Sequence, residues 1–197
     1  QQLTELYIGN NKLKDISVFK FINLEKLETL NLEYNSISDI SSFSANNFKE
    51  LKNLDLNHNQ IKVISVLEHI DFEKLETINL ESNKISEINI QLFAEFKNLK
   101  KLNLSDNEIK EINLYNKVIC EKLESLNIGF NNISDINFFE NISFKELKYL
   151  NLDYCKLSNI KVLERVNFEK LKIIYIYGNK IDNFNNFKYK YLIYHLN

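Results

Sequence analysis

Four carboxylates and one imidazole are the first residues in this 197-residue chain that could do chemistry: Glu33, Asp55, Glu81 and Asp106, grouped around His58. A metal centre or an acid–base pair needs side chains that converge on one point. A shallow sheet face spreads them instead, so this secondary acidic patch suits a basic loop of a protein partner better than catalysis. The other set is aromatic. Phe130, Tyr149, Tyr154, Tyr175 and Tyr177 accumulate towards the C-terminal end, with Ile173 beside them. Aromatic groups clustered on one face bury large area at low entropy cost, as interface hot spots do. His69 and His195 have no chemical neighbours to recommend them. Glycine-rich phosphate loops, a G-x-S-x-G elbow and paired C-x-x-C motifs do not occur. The expectation is a chain that is not an enzyme, takes no metal or cofactor, and binds a protein or peptide.

What positions these residues is a repeat. Leu3, Leu27, Leu51, Leu75, Leu99, Leu123, Leu147 and Leu171 are each separated by 24. In the third copy, LKNLDLNHNQIKVISVLEHIDFEK, the spacing of Leu51, Leu54 and Leu56 predicts a short strand. Leu54 and Leu56 then point inward while Asn53, Asp55 and Asn57 face out. Ile61, Ile64, Leu67, Ile70 and Phe72 return apolar groups to the same interior. One such unit cannot bury its apolar face alone; stacked copies share a continuous core. With strands about 4.8 Å apart, eight of them give a concave face roughly 35–40 Å long.

Asn11, Asn35, Asn59, Asn83, Asn107, Asn131 and Asn179 hold one slot in seven of the eight copies, with Cys155 in the other. There the chain leaves the strand, and its buried backbone groups need partners that a side-chain amide supplies. A structural ladder of stacked asparagines is expected. Phe48, Phe72, Phe96, Phe144 and Phe168 share another slot, with Leu24, Cys120 and Leu192 as substitutes, and should fill the wider convex half of each layer. On the concave side, the row Tyr7, Asn31, Asp55, Asn79, Asn103, Asn127, Asn151, Tyr175 reads as a solvated sheet face. The return leg of the third repeat could form one or two helical turns, whereas SSFSANNFKE in repeat two is less helical by composition. Short helices, 3₁₀ turns or loops are the most the convex side should hold.

Eight turns of 24 account for 192 of the 197 residues, a single domain over 1–197. Proline is absent and glycine occurs three times, so no linker interrupts the array. The formal net charge of −2 gives no reason to expect nucleic acid. No apolar run approaches the ~18 residues of a membrane span, and no signal-peptide layout opens the chain. A monomer is expected. Two cysteines on different sides of the repeat favour a reducing compartment, cytoplasm or nucleus. Sequons at Asn103, Asn132 and Asn141 are what chance gives in so asparagine-rich a chain. The first repeat opens without a cap, which suggests a fragment of a longer protein. In the last repeat Phe184 replaces isoleucine, and the tail FKYKYLIYHLN is either a cover or a truncated ninth turn.

LETLNLEYNSISDI, LKNLDLNHNQIKVI and LKKLNLSDNEIKEI resemble the short-repeat intracellular class of leucine-rich repeat proteins, over the whole chain. That class includes a regulatory subunit of protein phosphatase 1; its repeats are usually two residues shorter. The resemblance implies an α/β solenoid, a curved horseshoe with a parallel β-sheet on the concave face, which binds another protein there. Two functions stay open: an interaction scaffold, or the recognition domain of a larger enzyme or effector whose catalytic domain is absent here. A purely architectural repeat is a third.

Overall fold

In the computed structural model, which describes residues 3–182, 184 and 186–194, every repeat contributes one three-residue strand. The strands are Glu5–Tyr7, Thr29–Asn31, Asn53–Asp55, Thr77–Asn79, Lys101–Asn103, Ser125–Asn127, Tyr149–Asn151 and Ile173–Tyr175. Each pairs in parallel with the next at the equivalent residue: Leu30 faces Leu54 and Leu54 faces Ile78. The middle residue of a strand is the one turned inward, and Leu30, Leu54, Ile78, Leu102, Leu126, Leu150 and Ile174 are all buried. Parallel ladders form here without long crossovers because the return leg is itself part of the layer.

The tail adds a ninth strand, Ile193–Tyr194, against Ile173–Tyr175. Ile193 faces Ile174, so this step is five residues shorter than the others. Phe187 and Tyr189 fold beneath it into the core, and the Tyr189 hydroxyl donates to the Val166 carbonyl at 2.9 Å. Of the two options open for the tail, the strand is realised, with cover supplied by these two rings. His195 lies outside the described residues.

One continuous cluster of buried side chains runs through the stack from Ile16 to Tyr189. Its convex half is aromatic: Phe48, Phe72 and Phe96 follow one another at 6.0 and 5.2 Å between ring centroids. Phe144 and Phe168 continue the column at 6.0 Å, and Cys120 fills the slot between the two runs. Leu192 does not occupy the last slot. Tyr189 packs on Phe168 at 5.7 Å instead, because the shortened tail brings it there, and Leu192 stays half-buried.

The return legs of repeats one, two, three, six and seven form single turns of 3₁₀ helix, Ser17–Phe21, Ser41–Ala45, Ser65–His69, Asn137–Asn141 and Lys161–Glu164, whereas that of repeat five holds the short strands Glu111–Asn113 and Val118–Cys120. Repeat two is therefore as helical as repeat three, contrary to its composition. An Asx turn leads into its helical turn, with Asp39 Oδ1 accepting from the Ser41 amide at 2.7 Å, and Phe43 anchors the turn in the core. The fourth repeat differs, with a short strand Glu87–Asn89 followed by an α-helix Gln91–Glu95.

Candidate protein-binding surface

The polar groups around the strand exits set the shape of the concave edge. Asn31, Asp55, Asn79, Asn103, Asn127 and Asn151 each accept, through the side-chain oxygen, the amide two residues on, at 2.8–3.2 Å. The row that the sequence presents as merely solvated thus holds the chain in an Asx turn at every one of these layers. Two residues after that amide lies the buried asparagine. Asn59 Nδ2 donates to the carbonyls of Leu32, Leu56 and Asn57, and its Oδ1 accepts from the Ile37 amide at 2.9 Å. Asn83, Asn107 and Asn131 repeat that set. At Cys155 the thiol donates to the Ile128 carbonyl at 3.3 Å.

Between these two polar positions sits a residue in the left-handed conformation in every repeat. Asn10, Tyr34, His58, Ser82, Asp106, Phe130 and Tyr154 have φ between 49° and 55°, and Gly178 has φ 70°. Asparagine, aspartate, histidine and glycine tolerate this region; bulky aromatics are outliers there. Tyr34, Phe130 and Tyr154 nevertheless occupy it, and all three rings are exposed.

Two surfaces result. At the C-terminal end Phe130 stacks on Tyr154 at 4.7 Å, and Tyr154 meets Tyr177 edge-on at 5.4 Å. Partial desolvation, then the hydrogen bond with Tyr177, hold the Tyr154 hydroxyl above the ordinary phenol range. Tyr149 lies exposed at the start of its strand, where no ring contact joins it to these three, while Ile173 and Tyr175 are half-buried. At the N-terminal end the carboxylates stay spread along the face. Glu33 accepts from the Asn57 amide at 3.2 Å, Glu81 from the Asn103 amide at 2.9 Å, and Asp106 from the Ser82 hydroxyl at 2.5 Å. His58 is engaged in a stack on Tyr34 at 4.1 Å and 12°. Asn57, expected to face out, is buried, because its amide lies between Glu33 and Asp55.

Tyr34 belongs with the aromatic groups, although the C-terminal clustering in the sequence does not include it; Tyr7 is exposed as well. The signal for Tyr34 is its position 96 and 120 residues ahead of Phe130 and Tyr154, in the same column. Among the described residues no cluster of three His, Cys, Asp or Glu side chains could hold a metal ion, and no helix is long and apolar enough to cross a membrane.

A stack of short parallel strands closed by an asparagine column and aromatic convex turns defines the repeat solenoids with a concave sheet. The family described as leucine rich repeat matches residues 1–61 and 73–133, and a two-copy form of it matches 49–91. The chain therefore belongs to the leucine-rich repeat family. Among solved structures it is similar to an internalin C2 from Listeria monocytogenes, with 25% identity, a TM-score of 0.70, and coverage of 92% of this chain and 74% of that one. An internalin, inlF, of the same organism is 20% identical with a TM-score of 0.53, covering 93% of this chain and 63% of the other. The functional domain of InlJ, which includes a cysteine ladder, is 19% identical with a TM-score of 0.53, over 93% and 46% of the two chains. No curated protein matches the sequence.

Proposed function

We propose that the chain is an interaction module that binds a protein or peptide on its concave face, with Phe130, Tyr149, Tyr154 and Tyr177 as the anchor. The observation that carries this is the placement of Phe130 and Tyr154 in left-handed backbone. Each such residue is strained by about 1–3 kcal/mol, and strain of this kind collects at binding sites. Membership of a repeat family whose layers leave one sheet face open supports the same reading. No catalytic role is assigned to any residue. The reducing compartment rests on two buried free thiols, Cys120 and Cys155. The subclass that includes a phosphatase subunit rests on the strand motif alone.

The test is affinity capture with the intact chain and with a Tyr154→Ala/Tyr177→Ala variant, followed by titration of the captured partner. Each substitution should weaken binding by about 2 kcal/mol, or roughly 30-fold. Unchanged affinity in the double variant refutes the patch. An alternative, the recognition domain of a larger effector, is supported by the extra length of the similar chains, of which this one spans 74%, 63% and 46%. Sequencing the flanking coding region separates the two.

A further inference from the structure

We infer that the partner segment is extended and two-ended, cationic over repeats two to five and apolar over repeats six to eight. This deepens the concave-face reading and rests on it. Part of the chain's charge is disposed in ion pairs. Where the backbone enters the strands, Lys52 pairs with Glu28, Lys100 with Glu76 and Lys148 with Glu124, at 2.6–2.8 Å. Further pairs on the outer side join Lys74 with Glu50 and Lys145 with Glu121. Among the described residues, no ion pair includes Glu33, Asp55, Glu81 or Asp106. Their hydrogen-bond donors are neutral amides and a hydroxyl. On the strand rows of the same repeats the cation is Lys101, and His58 is stacked against Tyr34. Four carboxylates on one face of four successive layers repel one another, and a cationic side chain laid among them removes that repulsion. Within this half, Asn57 Oδ1 is buried with no hydrogen-bond donor, a further acceptor in a region already short of cations.

The other half carries no such acidic group. Its exposed surface is Phe130, Tyr154, Tyr177 and Tyr149, and Asp153 accepts from the Tyr177 amide. Apolar or aromatic side chains fit there, and a cation could also lie on a ring face. The geometry fixes the spacing. The centre of the acidic group and the centre of the rings are separated by three to four layers, about 17 Å at 4.8 Å per layer. An extended segment crosses that in about five residues. The matching segment has Lys or Arg at one end and a bulky apolar residue about five positions away.

Selection of a randomised nine-residue peptide library, displayed on phage, against the whole chain tests this. The enriched sequences should carry a Lys or Arg and an apolar or aromatic residue about five positions apart. A Glu33→Gln/Glu81→Gln/Asp106→Asn variant should lose the basic preference, and wild-type-selected peptides should bind it about tenfold or more weakly at low salt. Because all three side chains are partly exposed, the variant should keep its fold, which thermal melting confirms. Enrichment of acidic or uncharged sequences, a preference unchanged in the triple variant, or no enrichment at all overturns the inference. A basic preference without an apolar one leaves the charge half standing and refutes the aromatic anchor. The Tyr154→Ala/Tyr177→Ala variant reports that latter failure separately.

Discussion

The ring of Tyr154 lies directly over the backbone of Gly178, so close that a Cβ on Gly178 would sit 2.4 Å from two ring carbons. Gly178 also has φ 70°, where an L side chain is strained. The glycine does two things at once: it ends the left-handed column and gives the Tyr154 ring a floor.

Gly178→Ala therefore has to move the ring. A non-glycine residue in this conformation costs about 1–2 kcal/mol, and the ring must lift from its stack on Phe130. The variant should unfold at lower denaturant and should lose as much partner affinity as Tyr154→Ala does. Wild-type affinity in a stable Gly178→Ala protein would show that the position of the ring does not matter.

At Phe130 stability and binding should part. Asparagine adopts the left-handed region more readily than phenylalanine. Phe130→Asn relieves backbone strain but loses the stack on Tyr154, two effects of about 1 kcal/mol each and of opposite sign. Chemical denaturation should find stability within about 1 kcal/mol of wild type, while affinity for the captured partner falls. A loss of several kcal/mol, as a core phenylalanine would show, contradicts the assignment.

How far the sequence discloses these features depends on what each position must do in every layer. Leu54 and its equivalents must face the interior, and Asn59 and its equivalents must supply the same donors and acceptor, so both recur at a fixed interval and reveal the fold. The left-handed column makes a demand on the backbone, which Asn10, Ser82, Phe130 and Gly178 meet in different ways. Its members are chemically mixed, and three aromatics obscure the hint that Asn, Asp, His and Gly provide. Strand alternation misplaces Asn57 because the strand ends at Asp55, two residues before it. The helical turn of repeat two escapes a reading by composition because the buried Phe43, like Leu67 in repeat three, holds the turn on the shared core whatever the propensity of its neighbours.

The asparagine column makes its own prediction at Cys155. In neighbouring layers the side-chain Oδ1 accepts an amide from the previous repeat, as Asn131 does from Ile109 at 3.0 Å and Asn107 from Ile85 at 3.0 Å. A thiol sulfur accepts only weakly, which leaves the Ile133 amide without the equivalent side-chain carbonyl. Cys155→Asn should raise stability by about 1 kcal/mol. Asn107→Ala should lower it by about 3 kcal/mol, because several buried backbone groups lose their partner together. Denaturant titrations of the two variants decide; stabilisation by Asn107→Ala, or marked destabilisation by Cys155→Asn, contradicts the account.

The thiols also set a pH dependence. Burial pushes Cys120 and Cys155 up to about 12 from an ordinary value of 9.0. A pKa raised on folding means that the protonated thiol is favoured by the folded state. Its contribution is complete below the unfolded value and is lost as pH rises from about 9 towards 12. Stability should therefore fall on the alkaline side, and less so in a Cys120→Val variant, which removes one of the two groups. At pH 8 the folded protein should resist a thiol reagent, because the thiolate is the reactive species and neither sulfur is exposed. Two equivalents should react once denaturant opens the stack. Fast labelling of the folded chain at pH 8 would place at least one thiol outside the core.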